Sequence, residues 1–343
     1  MQCANHYCAA DGFQMFTDGI TNKLVACSVG EGMSEHHGGD VVLVRVYGKK
    51  TDLLIDRKAE TRNLKVMHSA GYAPRLYATF NNGLAYEFVP GDTLTTETCH
   101  TPAIFPLVAT MMARMHRLEC GDAPHEPMVW AKARHFINLA PDVFSKPDKQ
   151  HRFEELKLPS KEQLETELSL LESQLRPLNS PLVFSHNDLL LGNVVYDETK
   201  GAVTFIDYEY AAYNHQAFDI GNHFNEFAGV SNVDYSLYPD QKFQRAWLQV
   251  YLREYKTLAP HSLSNGQDEN GHSDEPSDEE VGRMLVMVNK FALASHFLWA
   301  TWALVQAEHS TIDFDYLGYA STRLSEYFAR KDEFLTMEYS ADQ

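Results

Sequence analysis

A chain of 343 residues with 44% hydrophobic side chains is long enough for one large domain, or for two lobes sharing a cleft, and it can bury a real core. Its 47 acidic against 29 basic residues leave a formal charge of −18, which repels a phosphate backbone, argues against nucleic acid as a partner and suits cationic ligands. Five cysteines (Cys3, Cys8, Cys27, Cys99 and Cys120) are odd in number and lack any CxxC or Cys/His metal spacing, so a reducing compartment is expected.

The opening "MQCANHYCAADGFQMF" has no basic cluster followed by an apolar core. No run elsewhere reaches the ~18 apolar residues of a membrane helix, so a cytoplasmic protein without membrane insertion is expected. From Leu24 to Arg75, "LVACSV" and "VVLVRVYG" read as strands split by the Gly/His-rich turn "GEGMSEHHGG". "DRKAETRNLKVMHSAG" reads as a charged helix that stops at Gly71, with Pro74 beyond it. "RLYATF" and "LAYEFV" flank Asn81-Asn82-Gly83 and predict a hairpin. Five strands and one helix thus make a small lobe over residues 1–91.

After "PGDTL" the pattern turns helical. "IFPLVATMMARMHRLE" and "KEQLETELSLLESQL" carry apolar residues at mixed three and four spacing. Further helices are expected near 216–228, 240–256, 281–308 and 315–334, so residues 92–343 form a larger, mainly helical lobe with short strands inside it. Residues 261–280 hold seven acids and a single Leu; they cannot bury enough apolar surface to offset ordering entropy and read as a disordered loop. His36-His37, His215 and His223 lack a third ligand at sensible spacing, so no zinc site is expected.

The segment "FSHNDLLLGNVVYDETKGAVTFIDYEY" (184–210) sets His, Asp and Asn residues around strand-like runs, where Asp and Asn belong to loops. His186-x-Asp188 is followed by Asn193 and then, at the end of an apolar strand, by Asp207. This is the arithmetic of a kinase catalytic loop and metal-binding Asp. Phosphoryl transfer needs a carboxylate at the attacking hydroxyl, together with a second carboxylate and an amide oxygen to hold Mg²⁺. Asp188 is therefore the expected base, Asn193 and Asp207 the expected metal ligands, and His186 the residue that orients the loop.

The run from His186 through "IDYEYAAYNHQAFDIGNHFNEFAGV" closely resembles the choline/ethanolamine kinases, above all their ethanolamine-directed members. Similarity extends from "TDGITNKLV" at Thr17 to about Arg330, taking in "APRLYATFNNGLAYEFVPGDTL" and "ASHFLWATWALVQA". The resemblance implies a protein-kinase-like, two-lobed α+β fold with a small β-rich N-lobe and a large, mainly helical C-lobe. It also implies ATP- and Mg²⁺-dependent phosphorylation of ethanolamine to phosphoethanolamine, on the route to phosphatidylethanolamine. In the N-lobe it matches "TDGITNKL", with Asn22, to a phosphate-covering loop, Arg45 to the phosphate-gripping cation and Glu60 to its acidic partner. Backbone groups near Glu87 and Phe88 match the adenine-binding link, and Asp219 a support for the catalytic loop.

By spacing alone Trp299 and Trp302 belong to a core; the match of "SHFLWATW" to the family's head-group wall assigns them to the substrate, with Glu226 and Tyr213. A primary ammonium wants carboxylate partners and a quaternary one wants aromatic faces, and the sequence supplies both. The choice of ethanolamine over choline or another hydroxylated amine therefore rests on the resemblance. A nucleotide-binding scaffold without turnover is the alternative of another class, and intact Asp188, Asn193 and Asp207 argue against it. Sixteen residues precede Thr17, fewer than this family usually carries, which bears on any homodimer contact made by that extension.

Overall fold

The computed structural model describes residues 13–16, 22–28, 41–48, 50–258 and 275–340. Residues 17–21 of the expected phosphate-covering loop, the turn 30–39 with His36-His37, and most of the acidic segment lie outside the described residues.

The N-terminal lobe is an antiparallel sheet of β1 (Phe13–Phe16), β2 (Lys23–Ser28), β3 (Val41–Val46), β4 (Leu76–Phe80) and β5 (Gly83–Glu87), in the order β1-β2-β3-β5-β4. Period-two alternation along β3 buries Val41 and Leu43, and it carries Arg45 onto that same inward face. Gly83 stands opposite Val46 in the ladder, and a side chain there would collide with the Arg45 carbonyl, so the hairpin glycine keeps the strand bearing Arg45 close. Helix α1 (Arg57–Ser69) starts where the Asp56 carboxylate accepts from Lys58 N and Ala59 N at 3.0 Å. It ends ahead of Gly71, whose φ is +79°.

Beyond β6 (Asp92–Thr93) the chain is mainly helical: α2 (Phe105–Met115), α3 (Met128–Leu139), α4 (Pro147–Glu155) and α5 (Lys161–Leu175) precede the site. The site is framed by β7 (Leu182–Ser185), β8 (Val194–Asp197), β9 (Ala202–Phe205) and β10 (Ala212–His215). Next come α6 (Gln216–Asn225), α7 (Gln241–Thr257), α8 (Asp278–His309) and α9 (Tyr316–Thr336). Helices α3 and α4 were not anticipated from the sequence. Residues 278–280, expected in the acidic loop, instead form the first turn of α8, because Ser277 and Glu280 make a reciprocal capping box.

Helix α8 is the axis of the larger core, packed by α6, α9, α3 and α7. It is the one helix among the described residues long and apolar enough to cross a membrane, contrary to the sequence expectation, and 83% of its apolar window is buried inside the fold. It touches α6 at Gly221: a Cβ there would stand 2.7 Å from the Val288 carbonyl and 2.9 Å from Ala292 N. Strand β10 pairs back on β7, and β8 pairs with β9, so the loops holding Asp188 and Asp207 emerge side by side.

Candidate active site

Between β7 and β8 the backbone turns sharply, with Asn187 at φ +67°, and Asp207 just past β9 is likewise left-handed at +66°. Such a conformation in a non-glycine residue costs on the order of 1 kcal/mol or more and survives where surrounding bonds over-determine it. Here they do. The buried Asp219 carboxylate on α6 accepts from His186 N (2.9 Å) and Asn187 N (2.6 Å), and it is itself held by His116 Nε2 at 2.9 Å. Burial alone would raise its pKa, but the His116 bond and charge and the loop N–H groups outweigh it and hold the carboxyl below its usual range.

His186 ties the two loops together. Its Nε2–H donates to the Ile206 carbonyl (2.9 Å), one residue before Asp207, while its Nδ1 accepts from Asp188 N (3.3 Å). Burial lowers its pKa, so the ring is a neutral spacer with a fixed tautomer rather than a proton carrier. Asn193 Nδ2 donates to the Asp188 carbonyl at 2.8 Å, which leaves the amide oxygen as the atom available to a cation.

Arg45 reaches across from β3 and joins the lobes: one nitrogen pairs with Glu60 on α1, the other with Asp207. The contact to Glu60 is no surface salt bridge, since both residues are buried. Glu209 extends the network, accepting from Asn22 Nδ2 (2.9 Å) and Arg57 Nη1 (3.2 Å), and Arg57 also meets Glu60 at 2.9 Å. Glu60, Asp207 and Glu209 bring carboxylate oxygens within 4.8 Å of one another. With Arg45 and Arg57 among them, the five groups carry one excess negative charge. Burial and the nearby Asp207 raise the Glu209 pKa, against the pull of Arg45 and Arg57.

An aromatic wall is built around Tyr210, which lies in the field of Asp188. Trp302 Nε1–H donates to the Tyr210 hydroxyl (2.8 Å), Trp299 Nε1–H donates to Asn222 Oδ1 (2.8 Å), and the Tyr210 and Trp299 rings meet edge to face at 5.1 Å. Both indoles are buried, and with their N–H groups spent they have only ring surface left to offer. Glu226 closes this end as a buried ion pair with Arg323 Nη1 at 2.8 Å. Burial, then the charges of Asp207, Glu226 and Glu209, push the Asp188 pKa well above the carboxylate range.

Residues 13–328 match the family model described as choline/ethanolamine kinase. The chain is 47% identical to the ethanolamine kinase of Drosophila melanogaster, over 94% of this chain and 69% of that protein. It is also 47% identical to ethanolamine kinase 1 of Mus musculus, over 93% and 84%. This chain belongs to the choline/ethanolamine kinase family. A solved ethanolamine kinase from Plasmodium vivax superposes with a TM-score of 0.74 at 27% identity, over 94% of this chain and 84% of that one. A choline kinase from Cryptosporidium parvum, at 23% identity and a TM-score of 0.72 over 94% and 89%, shares the fold. The two-lobed, protein-kinase-like architecture and the use of ATP come with membership of this kinase family.

For a choline/ethanolamine kinase the expected site residues fall into three groups. Asp188, Asn193, Asp207 and His186 are brought together with Arg45, Glu60 and Asn22; Trp299 and Trp302 meet Tyr210, and Glu226 lies in the field of Asp188. Glu87 and Phe88 lie where β5 leaves the sheet, with Glu87 N–H spent on the Arg75 carbonyl (2.9 Å) and Phe88 packed on the small-lobe core. Tyr213 stands apart from the others: on β10, its ring packs on Phe184 and His125, and its hydroxyl accepts from Cys120 N at 3.0 Å. The tyrosine facing the tryptophans is Tyr210, three residues earlier, in the 3₁₀ turn after Asp207. Sequence reading also missed Glu209, Arg57, Arg323 and Asn222. The acid of "DYEY" was visible beside Asp207, whereas Arg323 carries no local signal. His215 and His223 are spent elsewhere: His215 accepts from Trp130 Nε1 (3.2 Å), and His223 bonds the Leu189 carbonyl (3.0 Å).

Proposed function

We propose that the chain transfers the terminal phosphoryl group of ATP to the hydroxyl of ethanolamine, with Mg²⁺ held by Asp207 and Asn193. The observation that carries this reading is the position of Asp188. Its carboxylate lies in the field of Asp207 and Glu209, which belong to the Arg45 cluster, and of the Glu226–Arg323 ion pair. A small amino alcohol whose ammonium rests on the Tyr210–Trp299–Trp302 wall beside Glu226 would present its hydroxyl to Asp188, which accepts the hydroxyl proton as the phosphoryl group is attacked.

Asp207 and Asn193 offer only oxygen, the donor set that suits a hard divalent cation. When bound, Mg²⁺ supplies charge neutralisation at the transferring phosphates. Arg45, held by Glu60 through one nitrogen, is free to exchange its Asp207 contact for phosphate oxygens. Asn22 and Arg57 hold the Glu209 carboxyl beside it by hydrogen bonds. Neutral His186 fixes the distance between the base and the metal carboxylate.

For the acceptor, Glu226 supplies the carboxylate that a primary ammonium seeks, and the names of relatives 47% identical to this chain support ethanolamine. The test is ADP release with Mg²⁺-ATP and, in parallel, ethanolamine, choline and no acceptor. Turnover dependent on ethanolamine and well above choline is expected. Turnover with choline alone would overturn the acceptor, and none with either from folded protein would overturn the reaction.

A further inference from the structure

The outer face of α1 is at odds with the rest of the molecule. In a chain of net charge −18, it carries Arg57, Lys58, Arg62 and Lys65 around a cavity of about 560 Å³, between α1 and the β4–β5 turn, to which no acidic residue contributes among the described residues. Elsewhere most arginines are matched with carboxylates, but among the described residues Lys58, Arg62 and Lys65 have no carboxylate within 4 Å. The Arg62 guanidinium donates to its neighbour's amide oxygen, Asn63 Oδ1, at 3.2 Å and also meets the Cys120 thiol, neither of which is a carboxylate. Unpaired like charges at i, i+4 and i+3 on one helix repel one another.

The floor of the cavity is apolar. The Arg57 guanidinium lies 3.8 Å over the Tyr47 ring, Val66 is half-buried, and Phe80 at the tip of β4 is 51% exposed, one of the few large apolar side chains left open to solvent. Four cations above an aromatic and aliphatic floor form a receptor for a ligand that is anionic at one end and apolar at the other. Guanidinium and ammonium groups at this density suit phosphate, with its several acceptor oxygens, better than a single carboxylate.

We infer that this cavity is a second ligand site, distinct from the catalytic cleft, for a phosphate-bearing anion with an apolar or aromatic attachment. Arg57 is the link between the two sites. It lines the cavity and also holds Glu60 and Glu209, the acids that position Arg45. An anion drawn to Arg57 competes with those acids and loosens the grip on Arg45, so occupancy weakens ATP use. This coupling rests on the reading of Arg45 as the phosphate-holding cation; binding itself does not.

The test separates the two. The full chain, with its catalytic cleft filled by a non-hydrolysable ATP analogue and Mg²⁺, is titrated calorimetrically with inorganic pyrophosphate and with a nucleoside monophosphate. It is also floated with vesicles of phosphatidylcholine, with and without phosphatidic acid. Lys58→Glu/Lys65→Glu, whose side chains are exposed and outside the catalytic network, keeps its ethanolamine turnover and is expected to bind at least about tenfold more weakly. Saturable binding of the soluble phosphates assigns the source as a metabolite; binding only to phosphatidic acid vesicles assigns it as a lipid headgroup; either, lost in the variant, supports the site. No binding of any probe, or equal binding by the variant, overturns it. Binding that leaves the KM for ATP unchanged refutes the coupling alone.

Discussion

Trp302→Phe tests the head-group wall at a single bond. Phenylalanine keeps a ring against Trp299 and Tyr316, whose centroids lie 5.7 and 5.9 Å away, but removes the Nε1–H that donates to the Tyr210 hydroxyl at 2.8 Å. The lost hydrogen bond is worth ~1 kcal/mol. Exchanging indole for benzene weakens attraction to an ammonium by ~0.5 kcal/mol. The hydrogen bond is made in free and bound enzyme alike and counts against stability, so the ~0.5 kcal/mol of lost ammonium contact sets the binding effect, about a twofold rise in KM for ethanolamine. Contact with the non-reacting amine acts alike in ground and transition states, so kcat should stay within about twofold. Initial rates of ADP release against ethanolamine concentration measure both constants, with a thermal melt to show that the variant is folded. An unchanged KM would return Trp302 to the hydrophobic core. A kcat that falls about tenfold at constant KM would refute the argument differently, by showing that Trp302 acts through Tyr210 on Asp188.

Asp207→Ala should leave less than about a tenth of the turnover, because a metal carboxylate and the outer partner of Arg45 vanish together; a higher residual rate in the same ADP assay removes Asp207 from the metal site. Gly221→Ala pushes a methyl group to within 2.7 Å of the Val288 carbonyl, so α6 and α8 must part at a cost of ~1–3 kcal/mol. The melting temperature should fall by roughly 5 °C, and an unaltered melt would show that the helix contact yields freely. The pH dependence of stability follows from His223, whose pKa burial lowers from 6.5 to about 4. The unfolded chain takes up this proton as pH falls through 6.5 while the folded chain does not, so stability is flat above that pH. Below it, stability drops by ~1.4 kcal/mol per unit until about pH 4. Urea midpoints at about pH 7.5 and about pH 5 should differ by at least this contribution, and His223→Gln should reduce the difference without abolishing it, because burial also lowers the pKa of His186, His215 and His296; an equal drop in the variant assigns it to those groups.

What could be read along the chain was chemistry carried by short spacings. Asp188 and Asn193 are fixed by one turn, His186 and Asp207 by two neighbouring hairpins, and α1 announced itself through Asp56 and Gly71. Helix α4 buries none of its residues and left little periodic signal, whereas α3 was legible in the spacing of Val129, Trp130, Ala133, Phe136 and Ile137 and lacked only a side-chain cap to mark its start. Tyr213 was named through resemblance alone, and no local pattern in "DYEYAAY" distinguishes it from Tyr210, which the 3₁₀ turn after Asp207 carries toward the tryptophans. Pairings across the fold were out of reach altogether. Glu226 and Arg323 are 97 residues apart, Arg57 and Glu209 152, Asn22 and Glu209 187, and only the docking of α9 on α8 and of the sheet on the helical lobe brings them together.

The residue at position 45 shows why such long-range partners matter to the chemistry. A lysine there would offer one compact charge, to be shared among Glu60, Asp207 and incoming phosphate. The guanidinium fork separates these roles, since one nitrogen is committed to Glu60, which anchors the side chain to α1, and the other rests on Asp207. Giving up the second contact does not release the first, so Arg45 can turn to phosphate without losing its place. Asp207 in turn needs a cation once Arg45 leaves, since it shares the cluster with Glu60 and Glu209. Uptake of the metal and engagement of the phosphates by Arg45 are thereby linked through one carboxylate, and Arg45→Lys should weaken both together.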